Sequence, residues 1–166
     1  RKEPDEVERA AGEVIMSCEQ VVNNSASQHF DFTYKEEREA VCPLAESVEA
    51  YLYEPGAALL KAGAYRLLTQ YYGVKKLHTN SHLYTSAEAI DFPGRRFRVE
   101  GVSGFGKKEI RDFLKGVEKA NLTVRNFPAS VAELRKKLKL KEGGELYLFA
   151  TTLADGEKVL IKGRKA

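Results

Sequence analysis

Alternating apolar and polar positions predict short strands near the start of the chain. Residues 29–34 alternate aromatic with polar side chains, so that three aromatic rings would share one buried face. Residues 13–19 form a second candidate strand, and the polar run 23–27 between the two segments favours a turn. Together these segments predict a β-hairpin.

The middle of the chain shows helical spacing instead. Pro55 suits the first turn of a helix, apolar residues recur at intervals of three and four as far as Tyr72, and Gly73 is placed to cap the C-terminal end. Because this predicted helix carries only two charged side chains, it would be buried on most sides. The next segment, 77–86, predicts irregular structure or a short strand.

In the second half, predicted helices alternate with predicted strands. Residues 96–102 alternate as a strand does, and the amphipathic pattern of Gly106–Ala120 predicts a helix after it. A short strand over 122–125 follows, and the segments 145–152 and 157–163 predict a hairpin around an Asp-Gly turn. The predicted order is β-α-β-α-β-β, once a second helix before the hairpin is included.

That second helix has a well-marked start. Ser130 and Glu133 fit a capping box, in which each side chain accepts a hydrogen bond from the other residue's backbone N–H. Val131, Leu134 and Leu138 would then face inward. A Gly-Gly pair further along the chain would end the helix.

A turn at Phe92-Pro93-Gly94 divides the chain. We expect an α+β protein of two small domains, with an N-terminal unit over residues 1–93 and a C-terminal unit over residues 94–166. The chain begins at Arg1 and its first eight residues are mostly charged. We therefore interpret residues 1–11 as a linker from an upstream domain of a longer protein; a processed N-terminus is the alternative.

Charge separates the same two units. Residues 1–93 hold 9 Lys/Arg and 15 Asp/Glu, whereas residues 94–166 hold 18 Lys/Arg and 9 Asp/Glu. The net charge of +3 therefore hides an acidic half and a strongly basic half. A basic unit of this kind is typical of a protein with a polyanionic partner such as nucleic acid. Surplus lysines that keep a small domain soluble are the alternative.

The cations of the basic half define the predicted RNA contacts. They lie on or beside the two predicted helices, where they would neutralise phosphates of a nucleic-acid backbone. The predicted RNA-binding residues are Lys107, Lys108, Arg111, Lys115, Arg125, Arg135, Lys136, Lys137 and Lys139.

A glycine-rich loop precedes the first of these helices. Gly101–Lys108 fits the phosphate-binding pattern G-x-x-x-x-G-K, but Lys108 occupies the position whose hydroxyl group would hold Mg²⁺. Nucleotide hydrolysis is therefore disfavoured. Backbone N–H groups of the loop, together with Lys107 and Lys108, would suit one phosphate of a nucleic acid. A flexible turn is the equal alternative.

The segment between His78 and His82 is a candidate docking loop. Two histidines four positions apart suggest a metal site only on a helix; the intervening Thr-Asn-Ser favours a loop and no third ligand is near, so we predict no metal. We expect His78, Asn80, Ser81 and His82 to form an ordered turn that contributes to a surface contact. No acid, base and nucleophile have suggestive spacing, so no catalytic residue is predicted in this chain.

The remaining features concern the compartment. Cys18 and Cys42 lie in apolar surroundings, which favours two reduced, buried thiols over a disulfide. The longest apolar stretch, residues 56–68, is broken by two cations and is too short to span a bilayer. Because no secretory signal is visible either, we expect a cytoplasmic protein without a membrane partner.

Three ordered stretches carry a resemblance to known proteins. The first joins residues 51–56 (YLYEPG) to residues 60–65 (LKAGAY), and the second is residues 77–86 (LHTNSHLYTS). The third is the series RNFP, LRKKLKL and LFATTL within residues 125–153. Together they resemble the C-terminal region of the bacterial THUMP-like-domain family of class I S-adenosyl-L-methionine-dependent methyltransferases, over nearly all of residues 12–166.

The resemblance implies a ferredoxin-like domain over residues 1–93 and a THUMP-like domain over residues 94–166. "Ferredoxin-like" names a fold here, since two cysteines are too few for an iron–sulfur cluster. In this family a Rossmann-like methyltransferase domain comes first and binds S-adenosyl-L-methionine, so no cofactor is expected in this chain itself. THUMP domains bind structured RNA, often tRNA, and present it to a linked modifying enzyme.

By this resemblance the chain is a non-catalytic accessory region of a SAM-dependent RNA methyltransferase. Its expected partners are structured RNA such as tRNA and the upstream methyltransferase domain of the same chain. The alternative is a protein–protein or intramolecular docking module, in which the acidic half and the 78–82 loop pack on that domain. A large exposed apolar patch on the predicted helix Pro55–Tyr72 would favour docking.

Overall fold

The structure is a computed structural model that describes residues 5–8, 14–22 and 26–166. In these residues the chain forms a three-stranded sheet, a seven-stranded sheet and short helices. The mixed α+β class expected from the sequence is therefore confirmed.

Three antiparallel strands form the smaller sheet. They are β1 (Asp5–Glu8), β2 (Val14–Val22) and β3 (Ala26–Thr33), with β2 in the centre. The predicted hairpin is confirmed as the β2–β3 pair. Residues 23–25 of the predicted turn lie outside the described residues.

The chain leaves β3 through a short helix, α1 (Tyr34–Glu39). Thr33 Oγ1 accepts a hydrogen bond from the backbone N–H of Glu36 at 3.1 Å, and the Glu36 carboxylate accepts one from the backbone N–H of Thr33 at 2.9 Å. This capping box fixes the first turn of α1. It also places Glu37 where its carboxylate accepts a hydrogen bond from the backbone N–H of Arg66.

Seven strands form the main sheet. Their bounds are β4 (Tyr51–Pro55), β5 (Lys75–Lys76), β6 (Tyr84–Ser86), β7 (Gly94–Ser103), β8 (Asn121–Arg125), β9 (Leu146–Thr152) and β10 (Lys158–Lys165). Their order is β5-β6-β4-β7-β10-β9-β8, and β8 pairs with β9 in parallel while the other neighbours are antiparallel. The strands and the hairpin predicted in the second half are thus confirmed.

The main sheet continues across residues 93–94, where the sequence suggests a domain boundary. β4 and β7 pair from Tyr51 opposite Arg98 to Pro55 opposite Gly94. The two chain segments approach so closely that a Cβ atom at Gly94 would collide with the backbone oxygen of Glu54. The N-terminal and C-terminal units therefore share one continuous sheet.

The single helix predicted over residues 55–72 is wrong. Its first residue belongs to β4, and two short helices follow, α2 (Ala57–Ala62) and α3 (Leu67–Tyr72). Gly63 separates them with φ of +82°, a left-handed conformation that ends a helix and favours glycine. The predicted cap at Gly73 is confirmed, since it adopts the same conformation after α3.

The β-α-β-α-β-β order of the second half is confirmed, but its first helix is shorter than predicted. This helix, α4 (Lys107–Phe113), stops short of Ala120. The helix ends ahead of Gly116, whose φ of +81° is a left-handed conformation that a helix cannot continue through. Residues 118–120 then pair with residue 141. Ala120 N–H donates to the carbonyl of Lys141 at 2.9 Å, and Lys141 N–H donates to the carbonyl of Glu118 at 3.0 Å, so this segment is extended.

The second helix, α5 (Val131–Leu138), begins with the predicted capping box. Ser130 Oγ accepts a hydrogen bond from the backbone N–H of Glu133 at 3.1 Å. The predicted end at Gly143–Gly144 is wrong, because Lys139 already adopts a left-handed conformation with φ of +56°.

Both α4 and α5 pack on the same face of the main sheet. Leu134 is buried against sheet residues that include Leu148 and Leu160, and Leu138 packs at the edge of this cluster. Val131, which the sequence pattern predicts to face inward, is instead 40% exposed. Among the described residues, no helix has the length and apolar character needed to cross a membrane.

Candidate nucleic-acid interface

The predicted RNA-binding cations lie largely on the outer side of α4 and α5. Ile110 and Phe113 of α4 and Leu134 of α5 pack towards the same sheet face. The polar sides of the two helices therefore face solvent in the same general direction. Seven predicted cations are exposed there, and we call them the basic helix surface: Lys107, Lys108, Arg111, Lys115, Lys136, Lys137 and Lys139.

These seven cations have no acidic partner within the part of the chain that the structure describes. Neighbouring carboxylates such as Glu109, Asp112 and Glu133 are present, but none comes within ion-pair distance of them. A phosphate backbone that contacted this surface would not have to displace an internal ion pair. The surface is thus suited to neutralise a polyanion.

Two further lysines extend the basic helix surface. Lys119 and Lys141, both exposed, lie opposite each other in a parallel bridge that follows α5 and Lys139. Their proximity depends on the contact between residues 118–120 and 141, which joins distant parts of the sequence. No local pattern of spacing could have predicted it.

Two predicted RNA-binding residues also make contacts within the chain. Arg135 Nη1 donates to the carbonyl of Ala120 at 3.2 Å, and Leu140 O lies 3.5 Å from the same nitrogen. Arg125 Nη2 donates to Glu54 Oε2 at 2.9 Å. The side chain of Arg125 is 36% exposed, so part of it still reaches the surface.

Glu54 is the centre of an ion-pair cluster that joins the two halves of the chain. Glu54 is 7% exposed. Its Oε1 accepts hydrogen bonds from Arg95, and its Oε2 accepts one from Arg125. A flat sheet would separate β4 from β8 by about 19 Å, since three strands lie between them. The Glu54–Arg125 contact therefore shows that the main sheet curls strongly.

The glycine-rich loop before α4 holds a carboxylate of its own. A Cβ atom added at Gly106 would lie 2.6 Å from Glu109 Oε1, and one at Gly104 would lie 2.9 Å from Glu109 Oε2. The glycines thus make room for the Glu109 side chain, whose negative charge opposes a phosphate at this point. The lysines that follow remain exposed, but the loop itself gains no support as a phosphate cradle.

The candidate docking loop packs against the C-terminal half of the same chain. Ser81, which is fully buried, donates from Oγ to the carbonyl of Thr152 at 2.8 Å. Asn126 Nδ2 lies 3.2 Å from His78 Nδ1, which also accepts a hydrogen bond from the backbone N–H of Asn80 at 3.0 Å. These contacts occupy much of the loop inside this molecule and tie the 78–82 segment to the ends of β8 and β9.

The described residues contain no candidate metal site, and their one described free thiol is half-buried. No group of three or more His, Cys, Asp or Glu residues within them could hold a metal ion. Cys42 is a half-buried free thiol, and burial raises its pKa, so the neutral thiol is favoured. The side chain of Cys18, the other predicted buried thiol, lies outside the described part of the structure.

His82 is the most perturbed titratable group of the docking loop. Its ring stacks on the ring of Tyr65 at 3.8 Å between centroids, and its buried Nδ1 has no hydrogen-bond partner in the described residues. Burial lowers the pKa of His82 to about 4, with further contributions from the positive charges of Lys76 and Arg125. The imidazole is therefore neutral at pH 7.

We expect the free energy of unfolding to fall, through His82, as the pH drops from about 7 to about 4. The imidazole has a pKa near 6.5 in the unfolded chain and about 4 in the folded protein. Between these values the unfolded chain binds the extra proton and is favoured. Because the ring is only half-buried, the expected loss is roughly 1–2 kcal/mol.

Urea denaturation at pH 7 and pH 4.5 measures this loss. His82→Asn is the appropriate variant, because the residue has φ of +51° and asparagine tolerates that backbone conformation. We expect the variant to lose this part of the pH dependence, whereas the control His78→Asn in the same loop retains it. An unchanged pH dependence in His82→Asn would contradict the assignment.

Comparison with known proteins relates this arrangement to two domain families. A model of a ferredoxin-like domain matches residues 51–93, and a model described as THUMP domain-like matches residues 94–165. Among curated proteins, none matches this chain. A crystal structure described as a "putative methyltransferase from Porphyromonas gingivalis W83" is 42% identical, with a TM-score of 0.82. The match covers 90% of this chain and 38% of that chain, so this chain spans less than half of that protein.

The two domain matches occur in the order expected from the resemblance in the sequence, and they meet at the β4–β7 junction. The structural match covers the chain well beyond either domain alone. The family resemblance and the two-part α+β fold are thereby confirmed. Over residues 51–165 the chain thus consists of a ferredoxin-like domain followed directly by a THUMP-like domain.

Proposed function

We propose that this chain is a non-catalytic accessory region of a SAM-dependent RNA methyltransferase, and that it binds structured RNA such as tRNA through its basic helix surface. In this proposal residues 1–93 and 94–166 are the two domain units, and they hold the RNA for a methyltransferase domain of the same protein. S-adenosyl-L-methionine would bind to that other domain. The THUMP-like domain and the similarity to a methyltransferase support an RNA-related accessory role.

The observation that supports RNA binding most strongly is the basic helix surface itself. Seven exposed cations on two neighbouring helices have no ion-pair partner among the described residues. Exposed lysines of this kind release condensed counterions when they contact phosphates, which gives affinity without base-specific contacts. Contacts to the phosphate backbone recognise the shape of a folded RNA rather than its base sequence.

A pure docking role has less support from the same structure. Of the large apolar side chains in α2 and α3, only Tyr71 is markedly exposed, at 55%. The 78–82 loop, the other candidate docking element, makes hydrogen bonds to Asn126 and Thr152 of this chain. The large apolar patch that would favour docking is therefore not present on these two helices.

The proposal is tested by measuring the affinity of the chain for folded tRNA at two salt concentrations. If about six cations contact phosphates, the affinity is expected to fall roughly a thousandfold between 50 and 200 mM monovalent salt. Fluorescence anisotropy of labelled tRNA at fixed temperature gives both affinities.

A binding curve that does not change with salt, or no binding at 50 mM salt, would contradict the proposal. Poly-glutamate of matched length serves as a control for unspecific attraction of polyanions. It is expected to bind more weakly than tRNA, because it lacks the regular phosphate spacing of an RNA helix.

A further inference from the structure

A polar cleft of about 440 Å³ is lined by residues between positions 37 and 82, none of which belongs to the basic helix surface. Three segments form it: residues 37–44 after β3, the connection between α2 and α3, and the chain from β5 through the 78–82 loop. Its chemically active lining consists of Glu37, Cys42, Tyr65, Arg66, Lys76 and His82. A cleft of this size accommodates a small organic molecule.

Lys76 is the unusual member of this lining. It is only 2% exposed, its Nζ donates to the carbonyl of Thr79 at 2.5 Å, and it lies 5.3 Å from the centroid of the Tyr65 ring. An ammonium group has three N–H donors, so one carbonyl leaves donors available. Within the described residues no carboxylate forms an ion pair with Lys76.

A buried ammonium group without an ion-pair partner is unfavourable, and burial accordingly lowers the pKa of Lys76. The one carboxylate in the cleft lining, Glu37, is already engaged. It accepts hydrogen bonds from the backbone N–H groups of Arg66 at 2.9 and 3.0 Å and of Leu67 at 3.1 Å, at the start of α3. The negative charge of Glu37 opposes the lowering of the Lys76 pKa, but Glu37 forms no ion pair with the ammonium group in the described residues.

The other walls of the cleft contribute a second positive charge, two aromatic rings and a thiol. The exposed guanidinium of Arg66 adds a second positive charge at the rim. The stacked rings of Tyr65 and His82 also line the cleft, and the Cys42 thiol is favoured in its neutral form because burial raises its pKa. The lining thus combines two cations with the carboxylate of Glu37, whose hydrogen bonds go to backbone N–H groups at the start of α3.

We infer that this cleft is a binding site for a small oxyanion group, a phosphate or a carboxylate, held by Lys76 from below and by Arg66 at the rim. The group would form the direct ion pair that Lys76 does not make with any described carboxylate. Its source is either a free small molecule or the terminal phosphate of a nucleic acid. The inference does not depend on RNA binding by the basic helix surface.

The test is a titration of the ¹⁵N-labelled full chain with inorganic phosphate, and separately with acetate, at constant ionic strength and pH 7. For at least one of the two anions we expect saturable amide shifts around residues 42, 65–66 and 76–82. Lys76→Met is expected to weaken this binding at least about tenfold, because it removes a charged hydrogen-bond donor. Arg66→Gln, at an exposed position, is expected to weaken it about threefold and serves if Lys76→Met fails to fold.

Lys75→Met is the matched control. Lys75 is the neighbouring residue of β5, but its side chain is 54% exposed and lies 3.9 Å from Glu49. Its loss should leave anion binding unchanged. The inference is overturned if neither anion shifts the cleft residues, if folded Lys76→Met binds as tightly as the original chain, or, where Lys76→Met does not fold, if Arg66→Gln binds as tightly.

A second pair of titrations identifies the source of the anion. A short single-stranded RNA is added with and without a 5′-phosphate. Shifts of the cleft residues that require the 5′-phosphate indicate an RNA end, whereas inorganic phosphate binding with no response to either RNA indicates a free small molecule. Both results retain the site, and neither depends on whether tRNA binds to the basic helix surface.

Discussion

Replacing Arg95 and Arg125 together by methionine is expected to lower the free energy of unfolding by about 3–5 kcal/mol. Glu54 is 7% exposed and accepts hydrogen bonds from both guanidinium groups. Without them its carboxylate would be buried with no counter-charge. Each single substitution leaves one arginine in place and is expected to cost only about 1–2 kcal/mol, so the double variant should exceed the sum. Urea denaturation monitored by circular dichroism gives all three values.

Addition of Glu54→Gln to the double variant tests the reason for the loss. The amide has nearly the same shape without the charge, so about 1 kcal/mol or more should be regained. No recovery would show that the arginines act by packing alone. Arg164→Met is the matched control: Arg164 bonds Glu100 at 2.8 Å, but Glu100 is 31% exposed, so a loss of at most about 1 kcal/mol is expected.

Neutralising four lysines of the basic helix surface is expected to weaken tRNA binding roughly 100- to 1000-fold at 50 mM salt. The variant combines Lys107→Gln, Lys108→Gln, Lys136→Gln and Lys137→Gln. All four side chains are exposed and lack ion-pair partners in the described residues, so the fold should be retained. The slope of log affinity against log salt should fall by about 3 to 4, close to one for each lost phosphate contact.

A second variant with the same change in net charge separates a surface contact from general attraction. It combines Arg38→Gln, Lys61→Gln, Lys75→Gln and Lys158→Gln. These exposed cations lie outside α4 and α5. A loss of less than about tenfold is expected here, because only the long-range field changes. Equal losses in the two variants would mean that the basic helix surface is not the RNA contact.

The fold could be predicted wherever a local pattern determines the structure. The β2–β3 hairpin, the strands of the second half and the Ser130–Glu133 capping box each depend on residues close together in the sequence. The prediction of one helix over residues 55–72 failed because the apolar pattern of two short buried helices resembles that of one long helix. The break depends on the left-handed conformation of Gly63, which periodicity does not reveal. Likewise, α4 ends ahead of Gly116, which adopts a left-handed conformation, and residues 118–120 pair with residue 141.

The candidate interface likewise contains features that the sequence predicts and features that it does not. Lysines on the polar side of an amphipathic helix are predictable from spacing, and those of α4 and α5 are indeed exposed. The contact between Arg125 and Glu54 could not be predicted from the sequence, because the two residues lie far apart along the chain and meet only when the sheet curls. The cleft around Lys76 was missed for a related reason: three separate segments build it, and none of them carries a recognisable motif alone.

The pairing of β4 with β7 has a consequence for how such proteins can be divided and inherited. The junction between the two domain families is a row of backbone hydrogen bonds, so separation there would leave two unprotected strand edges, which favour self-association. Recombination at this junction would therefore be selected against. We therefore expect the ferredoxin-like and THUMP-like segments to be inherited together, even though each is recognisable by its own sequence signature.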